Sequence, residues 1–220
     1  MKSLLISFLA LGSLASLSAS SFSYQVTVDT SSIGGLTPGF LEFQFNQADS
    51  LYSLAATATV SDFTSTGFTF DDTQDSTLGG ATGSLSSPPL VLDNTVGATN
   101  LFDEYVSKFG SSFSFVVTLA GPALTNTAAD GSGFYTFLWS TDYSTNLIGS
   151  ATTGAVAEVD INGDKTTATT PLAGISTITS YTAPMTATPE PSALSLLGLG
   201  AAILLFRRTR STLWGRQSCH

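Results

Sequence analysis

Residues 112–120 read Ser112-Phe113-Ser114-Phe115-Val116-Val117-Thr118-Leu119-Ala120. The alternation places Phe113, Phe115, Val117 and Leu119 on one face and small polar residues opposite. That period of two is the signature of a half-buried strand. Working outward, the same pattern recurs. Tyr24, Val26 and Val28 alternate with Gln25, Thr27 and Asp29, and Phe40 to Phe45 alternates likewise. Strands are also expected at 55–63, 90–92, 134–139, 155–161, 165–170 and 175–181, with Gly, Pro, Asn and Asp between them. The aromatic run Phe134 to Trp139 reads as a central strand. One segment looks helical: Phe102, Tyr105, Val106 and Phe109 fall at three- and four-residue spacing, with Asn100 as N-cap. Many short strands with at most one short helix predict an all-β domain, an antiparallel β-sandwich or jelly roll, over residues 22–181.

Composition agrees with an exported β-protein. Charged residues make up 10% of the 220, and the net charge is −9. Between Tyr24 and Thr188, fifteen Asp and Glu face two cations, Lys108 and Lys165, a net −13. A body so acidic repels nucleic acid and anionic membrane surfaces, so no nucleic-acid partner is expected. Cys219 and His220 are the sole cysteine and histidine. The body therefore has no disulfide, no Ser-His-Asp or Cys-His machinery and no nitrogen or sulfur ligand for zinc. There is no P-loop and no dinucleotide-binding glycine pattern. A carboxylate-pair glycosidase needs only Asp and Glu, but nothing selects one pair among fifteen carboxylates. Neither enzyme activity nor a cofactor is expected.

The two ends carry targeting signals. Met1-Lys2, an apolar run from Leu4 to Leu17 and small residues at 18–21 form a signal peptide over residues 1–21. At the other end, residues 182–188 read as a linker. Pro189-Glu190-Pro191 is followed by an uncharged run, Ser192 to Phe206, and then by Arg207, Arg208 and Arg210. As a helix the run is about 22 Å long, enough to span with snorkelling arginines and local bilayer thinning. The positive-inside rule keeps the arginines cytoplasmic as a membrane stop and leaves Pro-Glu-Pro on the side of the exported body. The two prolines hold the chain extended about Glu190, the form a processing enzyme grips.

The order of these parts resembles the PEP-CTERM sorting tail, here over residues 189–210. The resemblance implies a membrane-anchored precursor in the inner membrane and an exosortase that processes it. It further implies delivery to the cell surface or beyond, in bacteria that make extracellular polysaccharide. Residues 211–220 continue past the arginines as a cytoplasmic extension, where such tails usually stop. The body is also similar to small PEP-CTERM proteins with a Val-Thr-Val-Asp-Thr-Ser-like strand, here Val26 to Ser31, and a Leu-x-Gly-Pro-Ala-Leu-like turn, here Leu119 to Leu124. That likeness implies no activity.

Three further features are candidate sites. Asp71, Asp72 and Asp75 form a dense acidic cluster, a calcium-binding loop or a solvated one. Asp160, Asn162 and Asp164 have calcium-loop spacing, but Lys165 and Pro171 stand where such a loop needs Gly and Glu. A hairpin turning at Asn162-Gly163 in a type I′ turn accounts for the same residues. Trp139 and Tyr143 are candidate stacking platforms for sugar rings, while Phe137 is assigned to the core. Extracellular polysaccharide is the partner these features imply.

Overall fold

The computed structural model describes residues 20–35 and 38–182, which belong to one compact unit. Fourteen strands fill it. They are β1 (Ser21–Asp29), β2 (Gly39–Gln47), β3 (Thr57–Thr66), β4 (Thr69–Phe70), β5 (Ser76–Leu78), β6 (Gly80–Thr82) and β7 (Leu90–Asp93). Then follow β8 (Leu101–Lys108), β9 (Ser112–Ala120), β10 (Ser132–Ser140), β11 (Asn146–Ile148), β12 (Ala157–Ile161), β13 (Thr167–Pro171) and β14 (Ser176–Ser180). One antiparallel sheet has the order β14-β1-β9-β3-β7-β6. The other has the order β13-β12-β10-β2-β8-β4, with β11 on β10 and β5 on β8. Among the described residues no helix is long and apolar enough to cross a membrane. The expected signal peptide 1–21, apart from its last two residues, and all of the expected membrane helix 192–206 lie outside the described residues.

The alternation read in the sequence builds the core. Phe113, Phe115, Val117 and Leu119 of β9 are buried, as are Tyr24, Val26 and Val28 of β1. Leu41, Phe43 and Phe45 of β2 and Phe134 and Leu138 of β10 bury their side chains from the second sheet. The two sheets meet where Phe43 and Phe115 pack edge to face, ring centroids 5.1 Å apart. Phe134 closes the triangle against both rings. With no disulfide available to the body, this burial is the main holding force. The turn after β9 is a 3-10 turn, Pro122–Leu124, that buries Ala123 and Leu124. It is entered through Gly121 at φ 122°, where a Cβ would stand 2.9 Å from the Ala56 backbone.

Two expectations are corrected. Residues 101–108 form strand β8, not a helix. Phe102 and Val106 satisfy period two as well as the helical spacing, and both face the core. Pairing with β2 on one edge and β4 and β5 on the other decides the matter. Asn100 is no N-cap. It is fully buried, accepts from Gly80 N at 2.8 Å and donates to the carbonyls of Gly97 and Phe45. The hairpin joining β12 to β13 exists, but its turn is not type I′. Asn162 O accepts from Lys165 N, and Lys165 takes the left-handed conformation, φ 74°. Neither Asn162 nor Gly163 has positive φ, as a type I′ turn requires.

Candidate functional site

The face of the eight-stranded sheet turned away from the core carries the polar chemistry. The register sets Phe137, Glu42 and Asp103 side by side across β10, β2 and β8. One step along, Trp139, Phe40 and Tyr105 stand in a row. Glu42 and Asp103 are each only 4% exposed. Donors from several elements meet one oxygen of each, while Asp103 Oδ1 is buried without a partner. Gln44 Nε2 and Trp139 Nε1 donate to Glu42 Oε1 at 2.6 and 3.2 Å. Tyr143 Oη and Ser76 Oγ each donate to Asp103 Oδ2 at 2.9 Å. Burial pushes the Glu42 carboxyl up to about 7, and the neighbouring Asp103 charge adds to the rise.

The aromatics form a continuous layer over this pair. Tyr135 stacks on Phe137, Phe137 on Trp139, and Trp139 lies 6.4 Å from Tyr143. Tyr143 in turn stacks on Phe40 at 4.7 Å. The loop from β10 to β11 makes that possible. Asp142 accepts from the backbone and hydroxyl of Ser144 and from Ser140 Oγ, and Tyr143 adopts φ 56°. Those donors hold Asp142 down at about 2. Tyr143 remains 42% exposed, with one ring face on Phe40, whereas Trp139 is half-buried. Both candidate stacking residues thus share one surface. Phe137 is buried as assigned, but on this outer layer rather than between the sheets.

The layer continues into a groove of about 280 Å³ lined by Asn46, Asp130, Ser132, Tyr135, Asp160 and Asn162. Burial raises Asp160 to about 6, with Glu158 adding to the rise. Asp160 and Asn162 line this groove, whereas Asp164 accepts from Thr166 N at the turn between β12 and β13.

The acidic segment between β4 and β5 is split. Asp71 caps a 3-10 turn, Asp72–Gln74, accepting from Thr73 and from Gln74 Nε2. Asp72 and Asp75 instead meet Glu104, with one oxygen of each residue lying within 4.8 Å of the others. Glu104 is adjacent to Asp103 but points to the opposite side of β8, between the inward-facing Phe102 and Val106. It is 1% exposed and its Oε2 has no hydrogen-bond partner. Burial, then the charges of Asp75 and Asp72, push it up to about 8. Reading 101–109 as a helix hid this residue. A carboxylate at an inward position of a strand, in phase with Phe102 and Val106, was the available signal.

Together these features define an all-β body with an aromatic and carboxylate-rich outer face. The chain also carries a PEP-CTERM protein-sorting motif, matched over residues 187–210. The match includes Pro189, Glu190, Pro191, Arg207, Arg208 and Arg210, all outside the described residues. The motif implies an exported protein, sorted by an exosortase from a membrane-anchored precursor. No curated protein and no solved structure matches the chain.

Proposed function

We propose that the protein is a non-catalytic component of the cell surface or extracellular matrix, associated with exopolysaccharide or biofilm after exosortase sorting. The sorting motif at 187–210 is the observation that carries this reading. The state of the outer-face carboxylates supports it. A glycosidase needs two carboxyl groups separated by about 5 Å or more, with a substrate oxygen between them. Glu42 and Asp103 are almost fully enclosed, and one oxygen of each is occupied by the protein's own donors. Replacing Pro189, Glu190 and Pro191 together with alanine should leave full-length precursor in the inner-membrane fraction. Normal maturation of that variant on an immunoblot would overturn the sorting reading.

A second reading is favoured by the aromatic layer: the body is a carbohydrate-binding module that stacks sugar rings on Tyr143 and Trp139. The free ring face of Tyr143 and the amide- and carboxylate-lined groove beyond Tyr135 suit a hydroxyl-rich ligand. On a glycan array, Tyr143→Ala should lose the signal that Tyr143→Phe retains, because stacking needs the ring and not the hydroxyl. Blank arrays for the wild type would remove this reading and leave the sorting one intact.

A further inference from the structure

Glu104 poses a physical problem. A carboxylate 1% exposed, with one oxygen lacking any donor, is costly, and an isolated buried charge costs several kcal/mol. The charges acting on it are those of Asp75 and Asp72, both of its own sign. From Phe22 to Ser107 the sequence has no Lys or Arg. The usual remedy for a buried carboxylate, a paired side-chain cation, is not supplied from that stretch.

The surroundings are nevertheless built to hold the three carboxylates together. Asp71 N donates to Tyr105 O at 3.1 Å, and Tyr105 N donates to Asp75 Oδ1 at 3.0 Å. The segment 71–75 is therefore tied to the β8 edge at both ends. Phe68 and Phe70 anchor its entry by packing on Phe109, Phe113 and Phe63. Ser76 holds its exit through Asp103. Apart from the bond from Tyr105 N to Asp75, this pairing and packing does not involve the three carboxylates.

We propose that Asp72, Asp75 and Glu104 form a calcium site, with Glu104 as the buried ligand supplied by β8 and the two aspartates closing it from the loop. An all-oxygen set selects a hard cation. Opposite oxygens around Ca²⁺ stand about 4.6–5.2 Å apart, and around Mg²⁺ about 4.0–4.2 Å. Three oxygens within 4.8 Å of one another fit around one Ca²⁺, whose flexible shell of six to eight oxygens tolerates irregular spacing better than the strict octahedron of Mg²⁺. Asp72 is exposed, so water completes the coordination on that side. The ion supplies the positive charge that Glu104 lacks.

The test is calorimetric titration of the full-length chain in detergent with CaCl₂, after dialysis against chelator, paired with thermal melts. One saturable site is expected, with affinity of about 0.1–1 mM as in other extracellular modules. The melting temperature should rise with CaCl₂. Asp72→Asn should weaken binding at least about tenfold. Removing the Asp72 charge relieves repulsion on Glu104, so that variant should melt no lower than wild type without calcium, which rules out misfolding as the cause of its lost affinity. Glu104→Gln should lose the calcium response and melt higher than wild type without calcium. Two outcomes overturn the site: no calcium-dependent heat or melting shift in the wild type, which would mean the carboxyls simply share a proton, or wild-type affinity in both variants.

Discussion

Asn94 and Asn100 show how single buried side chains substitute for missing backbone pairing. Asn94 accepts from Ala56 N at 2.8 Å and donates to Leu54 O and Ser132 Oγ, linking β3, β7 and β10. Asn100 does the same for the entrance to β6 and the end of β2. Neither pattern is readable in sequence, since an Asn between strands ordinarily signals a turn. Asn100→Ala should lower unfolding free energy by about 2–3 kcal/mol in urea titrations, because it strands Gly80 N and the Phe45 carbonyl. Glu42 gives a prediction of a different kind. Its carboxyl lies at about 7 in the folded protein and has an ordinary value of 4.5. The stabilisation is complete below about 4.5 and is lost as pH rises through about 7. Asp160, raised to about 6, and Glu104, raised to about 8, act in the same direction and extend the window to about 8. Unfolding midpoints should therefore fall across that window. Glu42→Gln should flatten the fall and be more stable than wild type at pH 7, since an amide can donate to Asp103. An unchanged slope in the variant would place the titration elsewhere.

At the scale of elements, period two carried the reading furthest where one face was purely apolar. β1, β2 and β9 are such strands, and the inward sets of β1 and β9 match the residues expected. β8 defeated it because Glu104 interrupts the inward set, so the helical spacing of Phe102, Tyr105, Val106 and Phe109 looked better. Aromatic strand β10 was legible as central, between β12 and β2, but not in the division of its faces. Both faces are aromatic, and only the register with β2 sends Tyr135, Phe137 and Trp139 outward. The short strands β4, β5, β6 and β11 gave no signal, because two or three residues cannot show a period. Phe115→Ala should cost about 3–5 kcal/mol, as it empties the contact between the sheets at Phe43 and Phe134. Asp142→Ala should loosen the loop from β10 to β11, leaving the fold intact by circular dichroism while making the Tyr143 ring more accessible to nitration.

For the molecule as a whole, charge is the property that was fully legible and that now has structural consequences. Fifteen carboxylates share the body with Lys108 and Lys165. The sequence could count them but could not say that Glu42, Asp103 and Glu104 lie in the folded interior rather than in solvent. Their repulsion opposes compaction, and it is long-ranged enough to be screened: the Debye length falls from about 30 Å at 0.01 M salt to about 8 Å at 0.15 M. Raising NaCl across that range at pH 7 should therefore raise the urea midpoint modestly and smoothly, through charges spread over the surface. Calcium should act differently. A specific site saturates, and its stabilisation grows with the logarithm of free calcium once above the dissociation constant. With NaCl held at 0.15 M, a millimolar calcium addition changes ionic strength very little, so screening predicts almost no shift and site binding predicts a clear one. Asp72→Asn separates the two again, because it removes one charge of fifteen and leaves the sodium response nearly whole while shifting the calcium response to at least about tenfold higher calcium. Equal stabilisation by the two salts at matched ionic strength would mean that the acidic body answers only to bulk screening.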